Sequence, residues 1–220
     1  MKKYILAIDA GTTGITVLLF DSNAKIVKRT YSEFNQIYPK PSWVEHDPME
    51  IWNITLKLLH KIIENIDPKS IASIGITNQR ETTVVWNRLT SIPVYNAIVW
   101  QCKRTSKQCE ELISAGYSDK IHSKTGLVID SYFSGTKINW ILNNITNAYD
   151  MAKTGELAFG TIDTWLIWNL TARKSHLTDH TNASRTLIYN IDDKNWDTEL
   201  LEIFSIPIQI LPKIKNSSDN

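Results

Sequence analysis

A short segment near the start of the chain has the residue types of a phosphate-binding turn. Gly11-Thr12-Thr13-Gly14 lies between two apolar runs, Ile5 to Ala10 and Ile15 to Asp21, and Asp9 comes just before it. Backbone N–H groups and threonine hydroxyls are suitable donors to phosphate oxygens, and a carboxylate is a hard oxygen ligand for Mg²⁺, directly or through water. The alternative is an ordinary hairpin whose polar side chains satisfy the turn. The segment is neither a Walker A loop nor a dinucleotide-binding Gly-x-Gly-x-x-Gly.

A second candidate site begins with the adjacent pair Arg80 and Glu81. The pair follows an apolar run, Ile71 to Thr77, which reads as a β-strand. Ligands of α/β sheets gather at the carboxyl ends of strands, so this is an expected place for a site. A guanidinium donates hydrogen bonds and a carboxylate accepts them, so together they suit the hydroxyl groups of an uncharged polyol. A solvated ion pair in a loop is the alternative.

Two aromatic residues further along the chain could complete such a pocket. Trp100 ends an apolar run, and its ring could cover the carbon face of a small polyol, although a core position is the commoner fate of tryptophan. Tyr132 lies in the loop Asp130 to Gly135, and its hydroxyl is a candidate binding group. Loops on a rigid scaffold often carry binding residues, but a single tyrosine is weak evidence.

The elements that must position these residues begin with a hairpin. Gly11 and Gly14 are free to take positive φ at its turn, and Lys25 to Thr30 reads as a third antiparallel strand. A helix then starts at Pro48, with Asp47 as the N-cap, and its apolar stripe extends to about Asn65.

The remaining pattern predicts strands that alternate with helices. The run Ile71 to Thr77 has apolar residues on both faces, which is typical of a strand inside a sheet covered by helices. Further strands are predicted at 82–86 and 97–100, and helices at 105–115, 136–144, 161–170 and 196–204. The polar tail 213–220 gives no element. This order predicts an α/β domain with a mixed sheet.

Composition excludes several classes of partner. The 220 residues include 24 Lys and Arg against 23 Asp and Glu, which leaves no basic surface for nucleic acid or an anionic membrane. The first residues show no signal-peptide pattern, and no apolar run approaches the roughly 20 residues of a membrane span. Cys102 and Cys109 are expected to be free thiols of a cytoplasmic protein.

Taken together, the chain closely resembles the glycerol kinases of the FGGY carbohydrate kinase family. The resemblance covers nearly the whole chain, and the segments that carry it are 9–13, 38–41, 43–48, 74–82, 96–102, 125–130, 132–137, 159–161, 163–168 and 181–186. Asn78-Gln79-Arg80-Glu81 and Trp100-Gln101-Cys102 favour glycerol kinases over xylulose or gluconate kinases of the same family.

The resemblance implies a ribonuclease H-like (actin-like ATPase) fold, in which a mixed sheet is flanked by helices. It implies transfer of the γ-phosphoryl group of ATP to glycerol, with Mg²⁺ as cofactor, giving sn-glycerol 3-phosphate. By the same resemblance Arg80, Glu81 and Tyr132 would bind the glycerol hydroxyls, and Trp100 would pack on the carbon chain. Thr12, Thr13 and Gly14 would contact the phosphate of ATP, and Asp9 would lie near the metal.

Two departures from the family pattern concern single segments. Gly14, Ile15 and Thr16 stand where glycerol kinases commonly have two serines and an arginine, so a cationic phosphate contact is missing. Ser131 stands where proline is usual, which we expect to affect only the stiffness of the loop.

A third departure concerns the length of the chain. The resemblance implies that residues 1–220 form the N-terminal domain, incomplete at its C-terminal end, and that the nucleotide-binding C-terminal domain is absent. The catalytic aspartate would lie beyond Asn220, and Asp130, Asp163 and Asp179 are not assigned to its role. Three hypotheses stay open: an N-terminal piece of a glycerol kinase with little activity alone, a non-catalytic remnant that binds a polyol or a partner, and a kinase of another small polyol. The sequence also leaves open a complementary C-terminal fragment and a homo-oligomer.

Overall fold

The predicted hairpin forms from β1 (Tyr4–Ala10) and β2 (Gly14–Phe20), and β3 (Ile26–Glu33) follows it. The computed structural model describes residues 3–218. Within these residues the chain divides into two units: a first unit of residues 3–36 and 46–79, and a second unit of residues 37–45 and 80–218. β4 (Glu45–His46) lies where the sequence passes from one unit to the other.

The first unit is a four-stranded mixed sheet with one helix. β1 and β2 pair antiparallel, as do β2 and β3, and β5 (Ile71–Asn78) adds parallel to β1, which gives the order β3-β2-β1-β5. The three antiparallel strands and the mixed sheet that the sequence predicts are therefore confirmed. Asp9 and Thr77 are neighbours across the parallel pair, so the ends of β1 and β5 that carry candidate residues meet at one edge of the sheet.

Helix α1 (Pro48–Ile62) covers one face of this sheet. Asp47 caps it as predicted, because its carboxylate accepts a hydrogen bond from Met49 N–H at 2.8 Å. The helix ends at Ile62 rather than near Asn65, and Asn65 itself takes the left-handed conformation, φ 65°, that commonly ends helices. The buried side of α1 packs against β2 and β3, and the apolar residues enclosed there are Leu6, Ile8, Ile15, Val17, Leu19, Ile51, Leu58, Leu59 and Ile62.

The prediction that the strand at 71–77 is covered on both faces is wrong. β5 lies at the edge of the four-stranded sheet, and most of its residues are exposed. Ile74 is 46% exposed although it pairs with the buried Leu6. The reason is the position of α1, which packs over β2 and β3. β5 therefore presents an edge and an exposed isoleucine on the surface of the first unit.

The second unit contains more helix than sheet. Its helices are α2 (Ser106–Ser114), α3 (Ser118–Thr125), α4 (Ser134–Asn144), α5 (Ala148–Lys153), α6 (Ile162–Leu170), α7 (His180–Ala183) and α8 (Thr198–Ile203). Its remaining strands are β6 (Val84–Asn87), β7 (Ala97–Ile98), β8 (Leu157–Gly160), β9 (Leu177–Asp179), β10 (Tyr189–Asn190), β11 (Asn195–Trp196) and β12 (Lys213–Lys215). The four predicted helices correspond to α2, α4, α6 and α8, whereas α3, α5 and α7 were not predicted.

Short strand pairs link these helices around one core. β6 pairs antiparallel with β8, and β10 with β11. The prediction that the tail has no element is wrong, since β12 pairs parallel with β9; residues 219 and 220 of that tail lie outside the described residues. The core draws on most of the helices, with Ile121, Ile138, Ile141, Phe159, Leu200 and Phe204 among its buried residues. Both cysteines are buried and free, as expected.

Over residues 3–218, no helix combines the length and the apolar character that crossing a membrane would require.

Candidate functional site

The hairpin turn of the first unit does not use positive φ. Gly11 N–H donates to the carbonyl of Gly14 at 3.0 Å, and among the described glycines positive φ occurs at positions 116, 126 and 155. The expectation that Gly11 and Gly14 take positive φ is therefore wrong. Gly14 instead permits a close approach: a Cβ there would lie 2.7 Å from the carbonyl oxygen of Ser32 and 2.7 Å from the hydroxyl of Tyr31, so these neighbours would have to shift.

The carbonyl groups of this turn accept hydrogen bonds from other residues of the first unit. Gln79 Nε2 donates to the carbonyl of Gly11 at 3.2 Å, and Gln36 Nε2 to that of Thr12 at 3.0 Å. Phe34 N–H donates to the carbonyl of Thr13 at 3.4 Å. The C=O and N–H of a trans peptide point in opposite directions. The N–H groups that follow these carbonyls therefore point away from the three donors.

Asp9 offers one exposed carboxylate at the end of β1. Within residues 3–218 no group of three or more His, Cys, Asp or Glu side chains is arranged to hold a metal ion. Mg²⁺ usually keeps several waters and takes one or two carboxylates together with phosphate oxygens, so a single exposed aspartate beside the 11–14 turn is compatible with this ion.

Glu81 is the most constrained candidate residue of the second unit. Its side chain is 3% exposed, and its Oε1 accepts a hydrogen bond from Arg185 Nε at 2.7 Å. Its backbone has φ 64°, a conformation that is uncommon for residues other than glycine. Backbone strain of this kind persists only where the surroundings hold it, and it clusters at functional sites.

The backbone of Glu81 is held as firmly as its side chain. Its carbonyl accepts hydrogen bonds from Ser134 Oγ at 3.1 Å and from Lys137 Nζ at 3.4 Å. Lys137 is fully buried and donates also to the carbonyls of Tyr132 and, at 3.1 Å, Phe133. Burial lowers the pKa of its amine to about 7. Lys137 thus ties the Glu81 loop to the loop that carries Tyr132.

Three of the four predicted polyol-binding residues are brought together through these contacts. The rings of Trp100 and Tyr132 are 5.3 Å apart, and both residues are half-buried. The guanidinium of Arg185 lies 5.8 Å from the Tyr132 ring while it binds Glu81. Arg80 precedes Glu81 and is exposed, so its guanidinium is accessible from solvent.

The three acids that were not assigned as catalytic base each have a local structural role. Asp130 accepts a hydrogen bond from Tyr132 N–H at 2.7 Å, and Asp179 caps α7. Asp163 accepts from Thr178 Oγ1 at 2.8 Å, and burial raises the pKa of its carboxyl to about 6. These contacts give no reason to assign any of them to proton transfer.

Sequence reasoning missed the residues that hold Glu81. Arg185, Ser134 and Lys137 all lie in segments that resemble the kinase family, but none was given a role. The available signal was a lysine placed in an apolar helix beside Ile138, where a charge must find partners. Nothing in the local sequence connects Arg185 with Glu81, since 104 residues separate them.

A separate open groove in the second unit contains none of the candidate residues. It has a volume of about 520 Å³ and lies between α5 and α8, lined by Tyr149, Lys153, Leu201, Glu202 and Pro207 among others. Large grooves often mark ligand sites, but this one offers no converging set of polar groups with perturbed pKa.

Comparison with known proteins places these observations in one family. The N-terminal domain of the FGGY family of carbohydrate kinases matches residues 4–220. The glycerol kinase of Halothermothrix orenii is 58% identical over 219 residues, which is 99% of this chain and 44% of that protein. The chain therefore spans less than half the length of this curated relative.

Solved structures show the same relationship. The crystal structure of Plasmodium falciparum glycerol kinase with ADP has a TM-score of 0.90 and 39% identity, covering 96% of this chain and 43% of that one. Ligand-bound xylulose kinase from Lactobacillus acidophilus has a TM-score of 0.86 and 28% identity, covering 97% of this chain and 42% of that one. The predicted actin-like ATPase fold class is thus confirmed. The chain belongs to the FGGY family of carbohydrate kinases.

Proposed function

We propose that this chain forms the glycerol-binding part of an ATP-dependent glycerol kinase. The reaction is transfer of the γ-phosphoryl group of ATP to a primary hydroxyl of glycerol, which gives sn-glycerol 3-phosphate. The observation that carries the proposal is the constrained Glu81, whose buried carboxylate is oriented by Arg185 and whose carbonyl is tied to the Tyr132 loop by Lys137.

The candidate residues of the second unit match the chemistry of a small uncharged polyol. Glu81 accepts hydrogen bonds from hydroxyl groups, the exposed Arg80 donates to them, and the Tyr132 hydroxyl does either. The half-buried ring of Trp100, packed beside Tyr132, offers an apolar face to the carbon chain. The Arg185 contact keeps the Glu81 carboxylate in place before substrate arrives, which lowers the entropy lost on binding.

The hairpin of the first unit supplies the phosphate contacts in this proposal. Thr12, Thr13 and Gly14 would bind phosphate oxygens of ATP through N–H and hydroxyl groups, which agrees with carbonyls that are held on the opposite side. Asp9 would hold Mg²⁺, directly or through water, and the ion neutralises phosphate charge. Phosphoryl transfer depends mainly on positioning and charge neutralisation, so these groups are suited to it.

Glycerol is favoured over a sugar by the pattern of identities. Among solved structures, the match to a glycerol kinase is 39% and the match to a xylulose kinase is 28%. The segments 78–81 and 100–102 support the same choice.

Activity in this proposal needs groups that this chain does not supply. We assign residues 1–220 to the N-terminal domain, and we assign the catalytic base and the adenine site to a complementary C-terminal part, like the remaining length of the relatives. The outer edge of β5, which pairs with β1 on its other side, supports such a partner, because a strand at the edge of a sheet can accept another. ATP-dependent chemistry and two free thiols support a cytoplasmic location.

Calorimetric titration of the chain with glycerol, erythritol and xylulose tests the substrate. We expect heat of binding with glycerol, and an affinity at least about tenfold lower in Arg80→Ala, because a directed donor to the substrate is lost. Arg29→Ala is the matched control, since Arg29 is an exposed arginine of β3 in the first unit. Tighter binding of xylulose than of glycerol would refute the proposed substrate, and equal affinity of Arg80→Ala and wild type would refute the proposed site.

A further inference from the structure

A histidine and two glutamines of the first unit form a continuous hydrogen-bonded bridge behind the phosphate hairpin. His46 Nε2 lies 2.7 Å from Gln36 Oε1, and His46 Nδ1 lies 3.2 Å from Gln79 Nε2. Gln36 Nε2 reaches the carbonyl of Thr12, and Gln79 Nε2 reaches the carbonyl of Gly11. Both ends of the bridge therefore finish on backbone carbonyls of the turn.

These two carbonyls determine the position of every proton in the bridge. A carbonyl oxygen only accepts, so the NH₂ group of each glutamine must face the turn. Gln36 then presents its Oε1 to His46, whose Nε2 must carry the proton. Nδ1 is left as an acceptor in the neutral ring, and the second N–H of Gln79 Nε2 points at it. The carbonyls of Thr12 and Gly11 therefore lead independently to the same neutral form of His46, with the proton on Nε2 and none on Nδ1.

The surroundings of His46 keep the ring neutral, as the bridge requires. His46 is 0% exposed, and the ring of Phe34 packs edge-on against it with centroids 4.8 Å apart. Burial lowers the pKa of the imidazole to about 4. A charged ring would place a proton on Nδ1, facing the NH₂ group of Gln79, and would break the bridge at that point.

We propose that His46 is a positioning residue that, through Gln36 and Gln79, holds the 11–14 hairpin with the N–H groups of Thr12, Thr13 and Gly14 turned toward phosphate. Gln36 follows β3, His46 precedes α1 and Gln79 follows β5, so the bridge ties the turn to three separate parts of the first unit. Such preorganised N–H donors are the kind of group that stabilises developing negative charge. The role in phosphate binding rests on the proposed function, whereas the bridge itself does not.

The first test measures the tautomer of His46 in the unmodified protein. Long-range ¹H–¹⁵N correlation spectra at pH 7 report which ring nitrogen carries the proton. We expect Nε2 to be protonated and Nδ1 to be bare. A neutral ring protonated at Nδ1, or a charged ring, would overturn the proposal, because neither can accept from Gln79.

The second test uses three variants that remove different parts of the bridge. His46→Gln keeps a donor toward Gln36, His46→Asn keeps an acceptor toward Gln79, and His46→Phe keeps a ring but removes both bonds. Hydrogen exchange at Gly11 N–H, which closes the turn, should accelerate about tenfold or more in His46→Phe and less in the two amide variants. His60→Gln, on the exposed side of α1, is the control and should leave the exchange rate of Gly11 N–H unchanged.

The amide resonances of Thr12, Thr13 and Gly14 provide the second readout of the same variants. A merely structural role would loosen the first unit as a whole, whereas the proposal predicts the largest shifts at these three amides. Amide shifts of equal size across the whole sheet would overturn the positioning role of His46. So would the absence of any shift at the turn in the variants that still unfold cooperatively.

A phosphate probe separates this proposal from the proposed function. Magnesium tripolyphosphate is titrated into the wild type and into His46→Phe while the same three amides are followed. Weaker binding by the variant supports the proposal in full, and equal binding overturns the positioning role. If the wild type shows no response while the tautomer and exchange results are as expected, the bridge stands and the phosphate part of the proposed function fails.

Discussion

Arg185 defines the geometry of Glu81 more than any residue close to it in sequence. Its Nε–H bond orients a carboxylate that is 3% exposed, and its guanidinium also packs 4.9 Å from the ring of Phe133. A buried carboxylate without such a partner is costly, so the pair acts as one group. The glycerol pocket of our proposal thus includes a cation that need not touch the substrate.

We predict that Arg185→Met lowers glycerol affinity by about tenfold or more, because Glu81 loses its orienting donor. Arg185→Lys should retain part of that affinity, since it keeps the charge but not the directed Nε–H bond. Calorimetric titration with glycerol measures both. Arg173→Met is the control, since Arg173 is exposed and contacts the carbonyl of Leu89. If Arg185→Met bound glycerol as tightly as the wild type, Arg185 would have no positioning role.

His176 makes the stability of the protein depend on pH. Its Nε2 donates to the carbonyl of Phe159 at 2.7 Å, its ring packs 5.4 Å from that of Trp86, and burial lowers its pKa from 6.5 to about 4. Between these values the unfolded state binds more protons than the folded state. The contribution of His176 is therefore fully present above pH 6.5 and is lost as pH falls toward 4.

The measurement is the free energy of unfolding in urea for the wild type and for His176→Gln, whose side-chain amide can still donate to Phe159. From pH 7 to pH 4 the wild type should lose about 3 kcal/mol of unfolding free energy relative to His176→Gln. His122→Gln, at an exposed position of α3, should follow the wild type. A constant difference across this range would show that His176 does not titrate as described.

At the scale of elements, the turn between β1 and β2 depends on the missing side chain of Gly14. We predict that Gly14→Ala lowers the free energy of unfolding by about 1–3 kcal/mol, because the new Cβ meets backbone that cannot move aside. Gly75→Ala in β5 is the matched control, since its Cβ would lie 3.9 Å from the nearest atom, the carbonyl oxygen of Leu6. Urea denaturation measures both, and equal stability of the two variants would contradict the steric argument.

The elements with strong local signals were predicted well. The hairpin strands are apolar runs on either side of a glycine-containing turn, and α1 has a capping aspartate, a proline and a helical stripe, so each could be read from its own residues. β12 was missed because three residues of alternating polarity form a strand only when β9 lies beside them. Local sequence patterns therefore predict the hairpin and α1, whereas a short strand such as β12 depends on the strand with which it pairs.

The candidate site likewise has one group of residues that the sequence predicts and another that it does not. Motif spacing and family resemblance predicted Glu81, Trp100 and Tyr132, and the structure brings these three together. The groups that hold them could not be predicted, since Arg185, Ser134 and Lys137 meet Glu81 only after folding. The exposure of β5 could not be predicted either, because its apolar pattern describes a strand with neighbours on both sides.

At the scale of the whole molecule, β5 is a surface open to association. Its edge is unpaired in the described sheet, and Ile74 is 46% exposed on the same face as the buried core of the first unit. Edges of this kind pair readily with other strands, and charged residues are the usual protection against it.

We predict that the isolated chain self-associates and that Ile74→Lys reduces this association, because a charge on the edge strand opposes strand pairing. Sedimentation velocity over a range of concentrations measures the effect. Leu89→Lys is the control, because Leu89 is 84% exposed but lies in a loop of the second unit rather than on a sheet edge. A monomeric wild type, or an equal effect of both variants, would contradict association through β5.

The left-handed backbone of Glu81 has a consequence for protein engineering. At φ 64° glycine is the residue that the backbone prefers, and asparagine is better tolerated there than glutamate. Glu81→Gly and Glu81→Asn would relieve this backbone strain, but both remove the carboxylate that Arg185 orients. The proposed glycerol site thus depends on a residue that the backbone does not favour, so variants at position 81 should be ranked on ligand affinity as well as on melting temperature.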